Sequence, residues 1–558
     1  MDKIVECVPN FSEGRDRNVI QAIAGEIEST EGVMLLDVDP GAATNRTVIT
    51  FIGSPEGVKE AAFRAIKKAA ELIDMSKHHG EHPRIGATDV CPFVPVSGVT
   101  MQDCVQIARE VGRRVGEELG IPVYLYEEAA ARPERKNLAN IRKGEYEGLP
   151  EKLKDPEWRP DFGPAEFNPK TGATVIGARE FLIAYNINLN TRDRKLAHEI
   201  ALNLRESGRA KRDAEGKIVR DENGKAVKIP GRLKGVKGVG WYIEEYGIAQ
   251  VSYNITNYKI TPVHVVFEES CKEAEKLGLR VTGSELVGLI PLQAMLEAGR
   301  YFLHKQGRST GVPDEELLHI AVKSLGLDDL GPFDPEQKII EYRFRKPYGP
   351  LASMKLSAFA GELSSDSPAP GGGSVSALAG ALAASLAAMV ANLTHGHKNY
   401  KGVWEKMEDV AVRAQNLRKW LLEAIDRDTR AFNSLMEAFR LPKKTEEDQR
   451  RRDQAIEKAT KEATEVPFGV MEKALEVLGL CKTVAESGNE NAASDAGVGG
   501  LMGYAAAYGA YLNVKINLPG IRDQSFKDET MRKAEMILTE ANILRREILD
   551  LVESKLEK

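Results

Sequence analysis

The pattern of hydrophobic and polar residues divides this chain into two parts. The first part alternates between the period of a β-strand and that of an α-helix, and the second part has the helical period alone. Over residues 1–150, strand-like and helix-like runs alternate in the order strand–helix–strand–strand–helix–strand. The runs predict strands at 4–10, 33–40, 46–53, 89–96 and 123–127, and helices at 17–27, 58–73 and 101–119. This order is typical of the ferredoxin-like, or split βαβ, unit.

The same order of elements returns after a loop rich in proline and glycine. The runs predict strands at 181–189, 236–245, 248–256 and 285–291, and helices at 194–206 and 263–278. The letters do not repeat, so the duplication is inferred from the pattern alone. Residues 209–232 interrupt it with a charged stretch that contains an Asn-Gly turn signal, which predicts a solvated hairpin.

Beyond residue 354 only the helical period remains. Long helical patterns cover 374–396, 400–440, 446–486, 490–514 and 525–556. They predict an all-α bundle, in which Pro467 should kink or interrupt the third helix. The predicted domains are therefore two α+β subdomains at 1–178 and 179–331, a linker at 332–354 with spaced prolines, and a helical domain at 355–558.

One helical run is long enough to cross a membrane. Residues 374–394 contain no charged side chain over 21 positions. The run consists mainly of Ala, Ser and Gly, which supply little transfer energy, and no aromatic belt or basic cluster flanks it directly. We therefore predict a helix buried inside a soluble bundle and no membrane span.

Composition narrows the class of protein. With 558 residues the chain should form several domains, and its net charge of −6 argues against a nucleic-acid partner. The five cysteines are widely spaced, which predicts reduced thiols rather than a disulfide framework. The first ten residues carry no apolar signal core, so we expect a cytoplasmic protein.

The densest group of titratable side chains lies in residues 74–90, between a predicted helix and a predicted strand. His78, His79, His82 and Arg84 fall within seven positions. Because His82 precedes Pro83, its backbone should be extended, and its ring could act as a general base near neutral pH. A zinc site of the three histidines is the alternative, although the spacing matches neither HExxH nor a Cys/His finger. At least one of His78 and His79 is expected only to pack or cap.

Two carboxylates follow one another on a predicted strand. Asp37 and Asp39 are two residues apart and should point to the same face, where they could hold a cationic group. They could equally be ordinary acids at the end of a strand. Asn10 and Arg46, at the ends of neighbouring strands, are similarly ambiguous.

Further candidates lie in a loop and in the helical part. The loop at 163–172 could close over a flat ring and offer one cation; its residues are Gly163, Pro164, Ala165, Glu166, Phe167, Asn168, Pro169, Lys170, Thr171 and Gly172. The small residues that open a long helix leave free N–H groups and room for a ligand; they are Gly371, Gly372, Gly373 and Ser374. Asp426 and Asp428 fall on different helix faces, so at most one should point inward. The polar, small-residue stretch at 488–500 is a third place where a ligand could approach.

These stretches together resemble the formimidoyltransferase-cyclodeaminase family. The stretches similar to its transferase half are ECVPNFSEG (6–14), LLDVD (35–39), NRTV (45–48), LIDMSKHHGEHPRIGATDVCPFVPV (72–96), LPEKLKDPEW (149–158), DFGP (161–164), VGWY (239–242), AQVS (249–252) and SELVGL (284–289). The stretches similar to its cyclodeaminase half are APGGGSV (369–375), DxDxxAF (426–432), RLPK (440–443) and GNENAASD (488–495). The resemblance runs nearly end to end and in the family's domain order.

The resemblance implies a duplicated α+β ferredoxin-like transferase domain followed by an all-α cyclodeaminase bundle. It implies two reactions of histidine degradation: transfer of the formimino group from N-formimino-L-glutamate to tetrahydrofolate, then ring closure to 5,10-methenyl-tetrahydrofolate with release of ammonia. Tetrahydrofolate, with or without a polyglutamate tail, would be a co-substrate, and no metal is expected. The partners implied are small-molecule substrates and further copies of the chain in a ring-shaped homo-oligomer.

The resemblance also implies roles for individual residues. His82 corresponds to the transferase base, and residues 163–172 correspond to the folate-binding loop. The cyclodeaminase acid is Asp426 or Asp428, and we favour Asp428. From their charge, Asp37 or Asp39 could stabilise the formimino cation, and Arg46 or Arg84 could hold the carboxylates of glutamate.

Three alternatives stay open on the sequence. One is a metal-dependent amide hydrolase that uses the histidine loop. Another is a folate carrier or scaffold without catalysis, built on the helical half. A narrower one is the same family chemistry with a formyl instead of a formimino donor.

Overall fold

The computed structural model describes residues 3–42, 44–80, 82–344 and 348–557, and the chain divides into two compact units. The first unit comprises Met1–Pro291 with Gly326–Phe344, and the second comprises Leu292–Leu325 with Arg345–Lys558. Residues 292–325, which the predicted boundaries assign to the second α+β subdomain, thus belong to the helical unit. The finer predicted boundaries at 179, 332 and 355 stay predictions.

All strands of the described chain lie in the first unit. They are β1 (Ile4–Cys7), β2 (Asn10–Phe11), β3 (Val33–Gly41), β4 (Arg46–Gly53), β5 (Thr88–Ser97), β6 (Val123–Glu127), β7 (Thr174–Ala178), β8 (Ile183–Leu189), β9 (Arg209–Ala210), β10 (Lys228–Ile229), β11 (Val236–Ile243), β12 (Ile248–Ile255) and β13 (Val281–Val287). Most begin and end within a few residues of the predicted strands, but β7 was not predicted.

The helices follow in chain order. They are α1 (Arg17–Glu28), α2 (Pro55–Leu72), α3 (Met101–Leu119), α4 (Leu138–Arg142), α5 (Leu149–Lys152), α6 (Arg194–Leu204), α7 (Val263–Lys276), α8 (Leu292–Lys305), α9 (Asp314–Leu325), α10 (Pro335–Lys338), α11 (Ile340–Phe344), α12 (Leu356–Leu363), α13 (Gly372–Thr394), α14 (Trp404–Arg440), α15 (Glu446–Ser487), α16 (Ala493–Asn517) and α17 (Gln524–Leu556).

Two sheets of the first unit share one strand order. In the first sheet the order is β3, β4, β1 with β2, β5, β7, β6, and in the second it is β11, β12, β8, β13. In each, the first strand of the repeat lies between the third and the fourth, with antiparallel neighbours. This is the order expected of a split βαβ unit. The duplication inferred from the pattern is therefore confirmed, and β7 and β6 extend the first sheet by parallel pairing.

The long helices of each repeat cover one face of its sheet. Alternate residues of the first sheet, such as Val5, Cys7, Phe51 and Phe93, are buried in a core that also contains side chains of α1, α2 and α3. In the second sheet, α6 and α7 pack on the strands in the same way. Because successive residues of a strand point to opposite faces, the polar residues between these positions lie on the uncovered faces.

The charged insertion at 209–232 forms the predicted exposed hairpin. Strands β9 and β10 pair at its base, and two tight turns lie beyond them. In each turn an aspartate, Asp213 or Asp221, accepts backbone N–H groups two and four residues ahead. The insertion is thus a local structure that satisfies its own polar groups.

The second unit is a helical bundle around α13. This helix packs against α14 and α16, which in turn contact α15 and α17, and its buried side chains are mostly alanine. By length and apolar composition α13 could cross a membrane, but most of its residues are buried in the bundle, as predicted. Helix α15 runs without a break through the buried Pro467, so the predicted interruption does not occur.

Candidate functional sites

A cavity of about 820 Å³ lies inside the first unit, between the uncovered faces of its two sheets. From the first sheet it is lined by side chains of β1 to β5, among them Glu6, Asn10 and Thr50. From the second subdomain it is lined by Ala184, Asn254 and others. Its volume is within the range of cavities that hold small molecules. Residues of both ferredoxin-like repeats therefore line the cavity.

The histidine loop is tied to the start of β4 by polar contacts. His78 Nε2 lies 2.8 Å from the carbonyl oxygen of Asn45, and the Asn45 amide donates to the His79 carbonyl at 3.1 Å. Asn45 has a φ of 48°, a left-handed conformation that asparagine tolerates better than most residues. A Cβ at Gly80 would overlap the carbonyl oxygen of Thr44, so only glycine fits where the two segments meet.

These contacts carry His82 to the cavity wall beside Arg46. The His82 Nδ1 lies 2.7 Å from the Pro83 carbonyl oxygen, and Arg46 Nη1 contacts both ring nitrogens. Burial and the positive charges of Arg46 and Arg142 together lower the pKa of His82 to about 4, against the smaller raising effects of the Pro83 carbonyl and Asp89. The ring is therefore neutral throughout the physiological range.

The two other histidines of the loop do not face the cavity. His78 is buried, accepts from Arg84 Nε at 3.2 Å, and its pKa is lowered by burial. His79 is exposed. Across the described ranges no group of three or more His, Cys, Asp or Glu side chains is placed to hold a metal ion. The geometry gives the zinc alternative no support and makes His78 an anchor of the loop.

Asp37 and Asp39 both line the cavity, as their spacing on β3 predicts. Burial and the neighbouring Asp39 raise the pKa of Asp37, while Lys338 and Arg343 lower it by a smaller amount. Two carboxylates on one wall can stabilise a cation that enters between the sheets. The structure thus brings together Asp37, Asp39, Arg46 and His82.

Arg84, in contrast, does not line this cavity. Its side chain is 8% exposed and forms ion pairs with Glu145 and Glu147, at 3.1 and 2.7 Å. With its guanidinium already engaged, Arg84 is poorly placed to bind the carboxylates of a substrate. It holds the histidine loop instead, through His78.

The predicted folate loop at 163–172 also lies off the cavity wall. Lys170 Nζ donates to the Glu71 carbonyl at 2.7 Å, and Met75 N–H donates to the Lys170 carbonyl at 2.9 Å. The Phe167 ring lies 5.4 Å from the ring of Tyr146, next to Arg84. The loop therefore contacts the start of the histidine loop and contributes no residue to the lining of the cavity.

Several charged residues of the cavity were missed by the sequence analysis, among them Glu6, Arg142 and Arg179. Arg142, on α4, pairs with the buried Asp89, and Arg179 follows β7. Glu6 lies on the uncovered face of β1, where burial raises its pKa to about 7 against the opposing charge of Arg179. The signal for Glu6 was present, since it is an acid in an apolar strand, whereas Arg142 and Arg179 lie in segments without a pattern.

In the second unit, Asp428 of α14 faces the start of α13. Ser374 Oγ lies 3.0 Å from Asp428 Oδ2, and a Cβ at Gly373 would overlap the carboxylate. Burial raises the pKa of Asp428, while the hydrogen bonds from Ser374 lower it. Gly371 is the N-cap of α13, and Gly372 lies beside Asn513 of α16. A half-buried carboxylate thus lies against a helix start without bulky side chains.

Asp426 has a different environment. It is buried and accepts the backbone N–H groups of Leu351 and Ala352, at 2.9 and 3.1 Å. A Cβ at Gly349 would overlap its carboxylate. Both carboxylate oxygens of Asp426 thus accept hydrogen bonds from the backbone of the segment before α12. The two carboxylates are buried to different degrees and serve different partners.

The stretch at 488–500 lies at the other end of α13. Asn489 N–H donates to Thr394 Oγ1 at 2.8 Å, and Thr394 is the last residue of that helix. Since an α-helix rises 1.5 Å per residue, its 23 residues separate this stretch from Gly372 by roughly 30 Å. Within one chain it is therefore apart from Asp428.

Three family descriptions match successive parts of the chain. "Formiminotransferase domain, N-terminal subdomain" matches residues 4–179, and "Formiminotransferase domain" matches residues 184–345. "Formiminotransferase-cyclodeaminase" matches residues 355–536.

Curated relatives match the whole chain or one part of it. A formimidoyltransferase-cyclodeaminase of Gallus gallus is 47% identical over 557 residues, the full length of both chains. A glutamate formimidoyltransferase of Streptococcus pyogenes serotype M1 is 45% identical over 303 residues, 54% of this chain and 94% of that relative. A methenyltetrahydrofolate cyclohydrolase of Methylorubrum extorquens is 40% identical over 200 residues, 36% of this chain and 96% of that relative. The chain belongs to the formimidoyltransferase-cyclodeaminase family.

Proposed function

We propose that this chain carries out two consecutive steps on tetrahydrofolate, one in each compact unit. The first transfers the formimino group of N-formimino-L-glutamate to N5 of tetrahydrofolate and releases L-glutamate. The second closes the ring to 5,10-methenyl-tetrahydrofolate and releases ammonia. The observation that carries the proposal is the full-length match to a bifunctional relative, supported by one proton-transferring side chain in each unit.

The cavity of the first unit suits the transfer step. Attack of N5 on the amidinium carbon forms a tetrahedral centre and leaves an extra proton on N5. A neutral imidazole at His82 can accept that proton and return it to the departing nitrogen of glutamate. Asp37 and Asp39 line the same cavity and can stabilise the positive formimino group. Arg46 is the arginine of the cavity that the sequence selected for a glutamate carboxylate.

The carboxylate of Asp428 suits the cyclisation step. When N10 attacks the formimino carbon, a proton must move from N10 to the nitrogen that leaves as ammonia. Among the described residues Asp428 has one hydrogen-bonding side chain, Ser374, and burial raises its pKa, so it can hold that proton briefly. Asp426 is committed to two backbone N–H groups. The geometry therefore favours Asp428, as the sequence did.

The helical unit also has a surface that fits a second copy of the chain. Exposed large apolar side chains form one stripe on α13 and one on the adjacent α16: Val375, Leu382, Met389 and Leu393, and Val498, Leu501, Tyr508, Leu512 and Ile516. Apolar patches of this kind are typical of protein–protein contacts. We place the expected homo-oligomer contact here, and we keep the expected ring shape, the polyglutamate tail and the cytoplasmic location as parts of the proposal.

A second candidate reaction of the helical unit is hydrolysis of 5,10-methenyl-tetrahydrofolate, which the name of the Methylorubrum extorquens relative favours. Water would add to the carbon that ammonia leaves, with Asp428 taking its proton. We expect purified chain to accelerate the loss of methenyl absorbance, and Asp428→Asn to remove that acceleration. An unchanged rate in wild type would dismiss this reaction without touching the cyclisation.

Replacing His82 should separate the two activities. We expect His82→Ala to lower formimino transfer by roughly 10²- to 10⁴-fold, the usual contribution of a positioned general base. Cyclisation of supplied 5-formimino-tetrahydrofolate should stay near the wild-type rate, because Asp428 lies in the other compact unit. Both rates are read from methenyl-tetrahydrofolate absorbance. Equal loss of both in a folded variant would contradict two separate sites.

The two aspartates should differ in activity and in stability. We expect Asp428→Asn to stop ammonia release with little change in thermal unfolding. Asp426→Asn places an amide N–H against the N–H of Leu351 or Ala352 and should cost about 1–3 kcal/mol of unfolding free energy. Ammonia release and calorimetry measure the two effects. Loss of catalysis in a stable Asp426→Asn variant would transfer the role to Asp426.

The oligomer contact predicts a change of mass without unfolding. Leu382→Glu and Leu512→Glu place charges on the stripes of α13 and α16 and should dissociate the assembly. Leu356→Glu, at an exposed leucine of α12, is the matched control. Light scattering after size-exclusion chromatography reads the mass. Wild-type mass in both stripe variants would exclude this surface.

A further inference from the structure

A buried carboxylate of the cavity lacks a partner in the described part of the chain. Glu6 lies on β1, lines the cavity and is 5% exposed. No residue that the structure describes donates a hydrogen bond to its side chain or forms an ion pair with it. Burial raises the pKa of Glu6 to about 7. Because a buried carboxylate is costly unless it is paired, this geometry points to a ligand that supplies the partner.

A guanidinium lies near Glu6 without contacting it. Arg179 follows β7 and lines the same cavity, and its positive charge lowers the pKa of Glu6 by less than burial raises it. Arg179 Nη1 donates to the Glu180 carbonyl at 2.9 Å, and a guanidinium has further N–H groups to donate. A ligand that enters between the two side chains therefore meets an acceptor and a donor next to each other.

The walls around this pair are apolar. Phe181, Leu289 and Ile340 line the cavity and pack in one cluster with Ile52, which is the residue opposite Glu6 on β4. Binding pockets for small organic molecules are typically apolar, with a few polar groups that fix the orientation of the ligand. This part of the cavity thus suits a flat ring with apolar faces and a polar edge.

Tyr126 connects this part of the cavity with the part around His82. It lines the same cavity, and burial raises its pKa to about 12 against the charge of Arg179. Tyr126 also opposes the lowering of the Arg46 pKa by burial, so it lies within electrostatic reach of both arginines. Arg46 contacts the ring of His82. Arg179 is therefore the side of the pair that faces toward the proposed base.

We propose that Glu6 and Arg179 bind the pyrimidine edge of the pterin of tetrahydrofolate. This inference rests on the proposed transferase function. The edge presents two neighbouring donors, the 2-amino group and N3–H, followed by one acceptor, the 4-carbonyl oxygen. A carboxylate accepts from both donors, and a guanidinium donates to the carbonyl. N5 lies on the same side of the ring system as that carbonyl, so this orientation directs N5 toward His82.

Other charged parts of the proposed substrates match only one of the two side chains. The formimino group is a cation with N–H donors alone, which suits Glu6 but places positive charge near Arg179. A carboxylate of the donor or of the folate tail suits Arg179, but the charge of Glu6 repels it. An edge that contains both donors and an acceptor is complementary to the pair.

Binding of the pterin should release a proton from Glu6. The charges that act on Glu6 are Arg179, after β7, and Glu341 of α11, while β4 and β5 place the apolar Ile52 and Val94 opposite it. Two N–H donors favour the ionised carboxylate, because a protonated one turns an O–H toward them. With a pKa of about 7, roughly half of Glu6 is protonated at pH 7, so binding should release about half a proton per ligand.

The first test is a change of KM in the full-length protein. Glu6→Gln keeps the size of the side chain but turns one acceptor into a donor that opposes the pterin N–H groups. We expect the KM for tetrahydrofolate to rise about tenfold to a hundredfold, the contribution of a hydrogen bond to a charged group, with little change in kcat. Glutamate release, measured by chromatography, reports the transfer step independently of cyclisation. Glu128→Gln, at an exposed cavity glutamate paired with Lys136, is the matched control and should keep the wild-type KM.

Thermal unfolding separates this role from a structural one. Because no described residue pairs with Glu6, Glu6→Gln removes an unpaired buried carboxylate, and the variant without ligand should unfold at the wild-type temperature or above it. A marked loss of stability, or an unchanged KM in the folded variant, would overturn the assignment.

An analogue tests whether Glu6 meets the pterin edge itself. The 2-desamino analogue of tetrahydrofolate lacks one of the two donors, so wild type should bind it at least about tenfold more weakly than tetrahydrofolate. Glu6→Gln should distinguish the two ligands much less. Equal discrimination by wild type and Glu6→Gln would show that the 2-amino group does not meet Glu6.

Calorimetry tests the same contact without donor or turnover. Tetrahydrofolate is titrated into the protein at pH 7 in two buffers with different enthalpies of ionisation, and the difference gives the protons released. Wild type and Glu128→Gln should release about half a proton, and Glu6→Gln close to none. Equal release from all three proteins would contradict the assignment. A wild type that releases the proton on binding, yet fails to transfer from N-formimino-L-glutamate, would instead contradict the proposed function.

Discussion

The contacts between the histidine loop and the residues just before β4 decide where the chemistry of the first unit can take place. His78 reaches the Asn45 carbonyl, and the Asn45 amide reaches the His79 carbonyl. Because Arg46 is the next residue, the same contacts bring its guanidinium to the ring of His82. One short segment therefore positions both the imidazole of His82 and the guanidinium of Arg46 on the cavity wall. Any change that moved this segment would displace both together.

The two units shift the pKa of their central groups in opposite directions by the same physical cause. Burial disfavours charge, so it lowers the pKa of His82 and raises that of Asp428. In both sites the proposed substrate brings the opposing charge. Formiminoglutamate carries carboxylates toward His82, and ring closure develops positive charge beside Asp428. Before the substrate binds, burial therefore disfavours the positive charge on His82 and the negative charge on Asp428.

The sequence predicted most of the elements because burial on one face leaves a strict period. Strand β6, at 123–127, has the predicted bounds, and α3, at 101–119, has them too. Strand β7 was missed because it is a five-residue run beside a glycine-rich loop, which no alternation marks. Pro467 was expected to kink or interrupt α15, and the helix continues through it without interruption in the packed bundle. Residues 292–325 carry a helical pattern, and only three-dimensional packing joins them to the second unit.

Site residues were predictable where chemistry and local geometry coincide, and not where packing decides. Asp37 and Asp39 line the cavity because a period of two fixes their face. Arg84 and Arg46 are the same residue type at similar loop ends, yet Glu145 and Glu147 form ion pairs with Arg84, whereas Arg46 has no ion-paired carboxylate among the residues that the structure describes. Those partners lie more than sixty residues away in sequence, so no local pattern distinguishes the two arginines. Arg46 is the one of the two arginines that lies on the cavity wall, beside His82.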